Sequence, residues 1–171
     1  LAEDKPEPLL EHSFQKGNVF LGYNAGLDYP EGFMQPTGQP APAFNADAQA
    51  YIEKSIALCR EKDIPVVLLH LPKMAWSFEE SMAVEQFAAD NGVVYLDLDR
   101  EENRTQLGIV PQEDYYDKGH MNLRGSVKVS RWLGKWLDER YALPDHRDDP
   151  AYAESWNADW AEYARKAGLE E

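Results

Sequence analysis

The chain has 171 residues, a length that fits one ordinary domain and can bury a hydrophobic core without disulfides or metal ions to hold it together. Seventeen Lys and Arg residues stand against 31 Asp and Glu residues, and the resulting formal net charge of -14 argues against nucleic acid as a partner, because phosphates would be repelled. The hydrophobic content of 43% excludes a disordered chain, and the longest apolar run is far too short to span a bilayer.

The N-terminal segment is acidic and contains two prolines, so residues 1–17 are predicted to form an extended arm or linker. It lacks the basic start and apolar stretch of a signal peptide. The chain begins at Leu1 rather than at a methionine, and we expect this start to be a processing boundary or an artificial one. The single cysteine, Cys59, forms no internal disulfide and indicates no particular compartment.

Residues 18–144 are predicted to form an α/β domain. Its first strand candidate is the apolar run at 18–22, and residues 23–44 follow as a long loop rich in proline and glycine. Two runs of branched apolar residues, 64–71 and 93–98, are typical of strands that are covered on both faces. Because strand candidates alternate with helices, we expect right-handed crossovers and a parallel sheet of about three strands.

Three helices are predicted to flank these strands, over about 45–62, 77–91 and 123–141. Asn45 is a good N-cap for the first helix, and the residues from Ser77 form a capping box for the second. The third helix is amphipathic. Between the second long strand and the third helix no periodicity dominates, so no regular element is predicted there.

Residues 145–171 are predicted to form a C-terminal helical extension. Asp149-Pro150 has the form of an N-cap followed by proline at the first helical position. Aromatic residues recur on one side of this helix: Tyr152, Trp156, Trp160 and Tyr163. Either these side chains pack against the domain, or they form a platform on which carbohydrate can stack.

The clearest chemical signal lies just before the third helix. Asp117 and His120 are three residues apart with Gly119 between them, so a tight turn can bring the carboxylate onto one imidazole nitrogen while the other faces outward. This is the arrangement of orienter and general base in a catalytic triad. The alternative is that both residues cap the helix, and Asn122 is ambiguous in the same way because it is itself a good N-cap.

The pattern Tyr116-Asp117-x-x-His120-x-Asn122-x-x-Gly125, followed by an amphipathic helix, resembles the last motif of the SGNH (GDSL-type) hydrolase superfamily. The closer likeness is to the cell-surface acyl-transfer proteins of the DltD and AlgX/AlgJ kind. This resemblance implies an SGNH- or flavodoxin-like fold and an esterase or O-acyltransferase that acts on acyl groups of cell-envelope polysaccharide or related polymers. It also implies an extracellular or cell-envelope location.

The chain departs from that family at the nucleophile. The stretch nearest to the family's first motif, residues 19–26, has no serine after its strand, and the seven serines of the chain precede that strand or fall in helices, a helix cap or the tail. We therefore expect the C-terminal portion of a longer SGNH protein, in which His120 is the general base, Asp117 its orienter and the serine lies upstream. A relative that naturally lacks the serine is the alternative.

His70 lies at the end of a strand candidate, at the edge where open α/β sheets bind ligands, so it is predicted to line an acyl pocket together with Asn122. A histidine of the core or rim is the alternative. Residues 97–102 begin like a calcium loop but lack its central glycine and its bidentate glutamate, which indicates a solvated acidic loop. No metal and no cofactor are predicted.

Two classes of function remain open from the sequence. The first is the esterase or acyltransferase, with an acylated glycan or a small ester as substrate. The second is a non-catalytic glycan- or protein-binding domain with an SGNH-derived fold. In both, neither nucleic acid nor membrane contact is expected, and an incomplete sheet would leave an exposed edge that favours association between copies.

Overall fold

A computed structural model describes residues 25–167, apart from the side chains of residues 166 and 167. The predicted arm 1–17 and the strand candidate 18–22 lie outside these residues. The elements are, in chain order, α1 Ala46–Glu61, β1 Val67–His70, α2 Phe78–Asp90, β2 Val94–Asp97, α3 Glu101–Leu107, α4 Pro111–Asp114, β3 Tyr115–Asp117, β4 His120–Met121, α5 Leu123–Tyr141 and α6 Ala153–Ala167. The predicted mixed α/β class is confirmed.

The chain divides into two compact units. We call Leu27–Pro111 the sheet unit, because it contains β1 and β2 with the helices α1, α2 and α3. Of the described residues, 25–26 and 112–167 belong to the other unit, which we call the hairpin unit because it contains β3 and β4 with α5 and α6. The predicted division into an arm, an α/β domain and a helical extension stays a prediction.

The sheet of the sheet unit is parallel, as the alternation of strands and helices predicts. β1 and β2 pair along their whole length, and His70 is the register partner of Asp97 at their carboxyl ends. Among residues 25–167 each of these strands has one partner and therefore one unpaired edge. The prediction that both faces of these strands are covered is wrong, because Leu69 and Val94 are exposed. Each strand also has only four residues and is therefore shorter than the apolar run that predicts it.

The helix ends of the sheet unit follow the sequence signals. The Asn45 side chain accepts hydrogen bonds from the amides of Asp47 and Ala48, which begins α1. Ser77 and Glu80 form the reciprocal capping box of α2, and Gly92 follows that helix with a positive φ of 62°. The buried hydrophobic residues of this unit include Ile56 on α1, Phe87 and Ala88 on α2, Leu96 on β2, and Leu98 directly after β2.

The long loop before α1 is tied to α2 by hydrogen bonds from Thr37 and by a ring contact between Phe44 and Phe87. The Thr37 backbone amide and hydroxyl donate to Glu79 Oε1 at 2.7 and 2.8 Å. These bonds hold the pKa of the Glu79 carboxyl below its ordinary value. The described part of the predicted loop therefore has a defined attachment although it contains no helix or strand.

Four short elements fill the stretch for which the sequence shows no periodicity. α3 has seven residues, α4 four, β3 three and β4 two, and none of them is long enough to repeat a helical or strand pattern. β3 and β4 form an antiparallel hairpin in which Asp117 is the partner of His120. The hairpin leads directly into α5.

α5 begins where the sequence predicts, and its first turn lies against the hairpin. The Asn122 side chain accepts a hydrogen bond from the Gly125 amide at 3.0 Å and so caps the helix. A β-carbon on Gly125 would be 2.6 Å from Met121 Cε and closer still to the Asp114 carbonyl oxygen. The hairpin and the helix can approach this closely only because residue 125 has no side chain.

α6 begins later than predicted and is largely exposed. The Asp149 side chain accepts from the Ala151 amide in a turn that precedes the helix, so the helix starts at Ala153 rather than at residue 150. Trp156 is 72% and Trp160 60% exposed, so the prediction that these side chains pack against the domain is wrong. None of the helices described here is long and apolar enough to cross a bilayer.

Gly125→Ala should destabilise the protein, because the new methyl group collides with the Asp114 backbone and with Met121. Overpacking of this kind costs about 1–3 kcal/mol. Gly134→Ala is the matched control on the same helix, since a β-carbon there meets nothing within 4 Å, and it should raise stability by up to about 1 kcal/mol. Urea unfolding followed by circular dichroism measures both, and equal effects of the two substitutions would contradict the close approach.

Candidate functional site

The predicted Asp–His pair forms across the hairpin of the hairpin unit. His120 Nδ1 lies 2.9 Å from Asp117 Oδ1 and 3.0 Å from Oδ2. An ionised carboxylate can only accept, so Nδ1 is the nitrogen that carries the proton in this pair. In the neutral ring Nε2 is then the basic nitrogen, which is the tautomer that a general base requires.

The turn between the two strands fixes the carboxylate as well as the ring. Asp117 Oδ1 accepts hydrogen bonds from the backbone amides of Gly119 at 2.7 Å and His120 at 2.9 Å. The Gly119 amide first, and the His120 ring second, hold the pKa of the Asp117 carboxyl below its ordinary value of 3.8. Asp117 therefore stays ionised at neutral pH and can stabilise a positive charge on the imidazole.

Both members of the pair are accessible from solvent. The His120 side chain is 59% exposed and the Asp117 side chain 50%. The imidazole can therefore be reached from solvent without a conformational change in the hairpin. Exposure also means that surrounding water screens the ion pair, so its contribution to stability is small.

Asn122 occupies the helix cap rather than an open position. Its Oδ1 caps α5 through Gly125, and its Nδ2 donates to the Glu113 carbonyl oxygen at 2.7 Å. The side chain is buried. The alternative in which Asp117 caps the helix is wrong, because Asn122 does so and the Asp117 carboxylate bonds within its own turn. A contact between Asn122 and substrate stays a prediction.

Asp114 is a buried neighbour of the Asp–His pair that was not predicted as a site residue. Its carboxylate is fully buried, and Lys128 Nζ lies 2.5 Å from Oδ2 while Arg124 Nε lies 3.3 Å from Oδ1. Both cations come from the first turns of α5. The sequence did contain a signal for this pairing: an acidic residue precedes a helix that has basic residues in its first two turns. This pairing ties the start of the hairpin to the helix.

A second polar cluster lies at the carboxyl edge of the parallel sheet. His70 Nε2 is 3.0 Å from Asp99 Oδ2, and the Lys73 amide donates to the same oxygen at 2.8 Å. The Trp76 ring stacks on the imidazole with 4.1 Å between ring centroids. His70 thus lies at the predicted edge, but its partner is Asp99 and its side chain is largely buried. A role for His70 in an acyl pocket stays a prediction.

The carboxylates beside His70 are buried, which corrects the interpretation of residues 97–102 as a solvated acidic loop. Asp97 is 3% exposed and Asp99 0%. Asp97 Oδ1 accepts from the Asp99 amide at 2.8 Å, and its Oδ2 accepts from Trp76 Nε1 at 3.2 Å. The interpretation was wrong because a run of charged residues does not show that Asp97 and Asp99, at the end of β2, point into the protein.

Burial is the largest influence on the pKa of the Asp99 carboxyl. Desolvation raises the pKa of the Asp99 carboxyl above its ordinary 3.8, and the negative charge of Asp97 raises it further. The hydrogen bonds from His70 and the Lys73 amide oppose this rise. Since the folded-state pKa exceeds the unfolded one, this group lowers the stability of the fold as pH rises through its folded-state pKa. The three residues His70, Asp97 and Asp99 could together hold a metal ion.

The described residues define a mixed α/β protein that has an exposed Asp–His pair in one unit and a buried His–Asp–Asp cluster in the other. Comparisons of the chain with protein-family models, with curated proteins and with solved structures found no match. A proposal about function therefore depends on the residues themselves.

His120→Ala should raise the pKa of the Asp117 carboxyl part of the way towards 3.8, because the Gly119 amide, the larger cause of the low value, remains. Stability from these bonds is present above pH 3.8 and is lost as pH falls through the folded-state pKa of Asp117. Carboxyl carbon shifts in an NMR titration measure the pKa. His146→Ala, which removes another exposed His–Asp pair, is the control. An Asp117 pKa of 3.8 or higher in the unaltered chain would contradict the geometry.

Proposed function

We propose that the chain supplies the Asp–His part of a Ser-His-Asp triad in an SGNH-like esterase or O-acyltransferase. The observation that carries the proposal is the Asp117 carboxylate on His120 Nδ1 at 2.9 Å, in a tight turn that leads directly into α5. The pattern of residues around this turn resembles the last SGNH motif. The parallel pairing of β1 and β2 is compatible with part of a larger SGNH- or flavodoxin-like sheet.

The proposed chemistry begins with a serine hydroxyl, which is a weak nucleophile at neutral pH. His120 Nε2 takes the hydroxyl proton as the oxygen attacks the acyl carbonyl, and Asp117 stabilises the imidazolium that forms. The same proton then passes to the leaving alcohol, which leaves an acyl-enzyme. Water attacks the acyl group in an esterase, and a sugar hydroxyl attacks it in an O-acyltransferase.

The serine itself is proposed to lie outside this chain. Every serine within residues 25–167 belongs to a helix or a helix cap: Ser55, Ser77, Ser81, Ser126, Ser130 and Ser155. Ser13 precedes the first strand candidate, where the family's motif has no nucleophile. A nucleophile elbow requires a serine on a sharp turn directly after a strand, so none of the seven is assigned this role.

The proposed substrate is an acyl group on a polymer or a small ester. The exposure of Asp117 and His120 supports a large substrate, because a polysaccharide cannot enter a closed cavity. The acyl group, the cell-envelope location and the glycan acceptor come from the resemblance. A further part of the proposal is association between copies through the sheet edges that have no partner within residues 25–167, which would place a second chain beside the first.

The test is made on the complete gene product with p-nitrophenyl acetate as substrate and a fluorophosphonate as a label for activated serine. His120→Ala should lower kcat/KM by about a thousand-fold or more, and Asp117→Asn should have an effect of the same order. His146→Ala is the control and should leave turnover unchanged, because its His–Asp pair lies in another loop. Circular dichroism establishes that the variants fold.

Full turnover in the His120→Ala variant would contradict the assignment of the general base. Absence of both turnover and labelling in the complete gene product would contradict the proposed function as a whole. The 171-residue chain alone should show neither. If the 171-residue chain alone did turn over the ester, and His120→Ala abolished this activity, the nucleophile would lie within the chain.

Exposed aromatic side chains favour glycan binding as the second candidate function. Trp156 and Trp160 lie one helical turn apart on α6 and expose most of their surface, which is the spacing needed to stack on a sugar chain. Replacing both with alanine should weaken binding to an insoluble polysaccharide by about ten-fold or more. Tyr51→Ala, at an exposed aromatic residue of α1, is the control. Unchanged retention of the double variant in a pull-down would exclude this function.

A further inference from the structure

Three potential metal ligands converge at the carboxyl edge of the sheet unit. His70 ends β1, Asp97 ends β2 as its register partner, and Asp99 follows two residues later. Each offers one nitrogen or oxygen ligand atom, and these atoms all lie within 4.8 Å of one another. The parallel pairing of two strands therefore brings together donors that are 29 residues apart in the chain.

One atom of this cluster has no hydrogen-bond partner in the described part of the chain. Asp99 Oδ1 is buried and accepts no hydrogen bond from any described residue, while Oδ2 of the same carboxylate accepts from His70 and the Lys73 amide. A buried carboxylate oxygen without a partner carries the full cost of its desolvation. A cation bound by this carboxylate would offset that cost.

We propose that His70, Asp97 and Asp99 bind a divalent transition-metal ion of the Zn²⁺ type. One imidazole nitrogen and two carboxylate oxygens suit Zn²⁺ better than Mg²⁺ or Ca²⁺, which prefer oxygen ligands throughout. Two ligands at about 2.1 Å from a tetrahedral Zn²⁺ ion are about 3.4 Å apart. His70 Nε2 and Asp99 Oδ2 are 3.0 Å apart and all three donors lie within 4.8 Å of one another, so small side-chain movements would bring them to this spacing.

Binding replaces a proton by the metal ion. His70 Nε2 and Asp99 Oδ2 lie at hydrogen-bond distance, and a proton that they share must leave when both atoms become ligands. The ion takes its place with the imidazole lone pair and the carboxylate as ligands, and the proton is released to solvent. No ligand changes its oxidation state, so the step needs no further reactant.

The residues around the cluster orient its ligands. The Lys73 amide holds Asp99, the Asp99 amide and Trp76 Nε1 hold Asp97, and the Trp76 ring covers the imidazole. Arg100 Nε lies 3.9 Å from Asp97 Oδ2 and partly neutralises that carboxylate. Because the carboxylates are buried, the bound ion would join the ends of β1 and β2 and stabilise the sheet unit, rather than present an open position to a substrate.

Isothermal titration with ZnCl₂ on the whole chain tests the site. We expect one ion per chain and a rise in Tm on binding, because only the folded state presents the three ligands together. Asp99→Asn and His70→Gln should each weaken the Kd by about ten-fold or more. His146→Ala, in an exposed pair with a single carboxylate, is the matched control and should keep the Kd of the unaltered chain.

Absorption of the Co²⁺-loaded chain gives a readout that does not depend on the variants folding. Visible bands of a low-symmetry site with a nitrogen ligand support the proposal, whereas the spectrum of hydrated Co²⁺ would overturn it. Wild-type affinity in a folded His70→Gln or Asp99→Asn variant would also overturn it. The outcome is independent of the acyl-transfer proposal, whose residues His120 and Asp117 belong to the hairpin unit.

Discussion

The buried carboxylate of Asp114 is the constraint on which the hairpin unit depends. It is held by Lys128 and Arg124 from α5, and an unpaired charge at this position would cost several kcal/mol. The pairing requires the backbone of residue 114 to touch the first helical turn, and only glycine at position 125 leaves room for that contact. The hairpin that carries Asp117 and His120 is therefore fixed to the helix at its base, while its turn remains in solvent.

The sheet unit follows a different principle. Its polar cluster depends on long-range pairing, because His70 and Asp99 approach each other only when β1 and β2 are in register. Here the carboxylates are desolvated and the imidazole is covered by Trp76. The same two residue types thus form an accessible pair in one unit and an enclosed one in the other, and the difference in solvation gives them different chemistry.

Local signals in the sequence were sufficient for local structure. The caps at Asn45, Ser77 and Asn122 predicted the starts of three helices, and the spacing of Asp117 and His120 predicted their contact. The short elements between β2 and α5 could not be predicted, since two to seven residues do not establish a period.

Burial was the quantity that the sequence did not reveal. Asp97 and Asp99 belong to a charged run that is typical of a surface loop, yet the end of β2 directs them inward to His70. The aromatic residues of α6 are typical of a packed helix face, yet Trp156 and Trp160 are exposed. Which face of an element is covered depends on residues distant in sequence, and a single sequence carries little information about them.

The Asp117–His120 contact is made within four consecutive residues and through the backbone amides of its own turn. Such a contact costs little loop-closure entropy and can form early in folding, before distant segments meet. In a triad assembled from this turn, the slow event would be the arrival of the serine. Activity would then begin only when the segment with the serine is assembled, because the histidine base would already be in place.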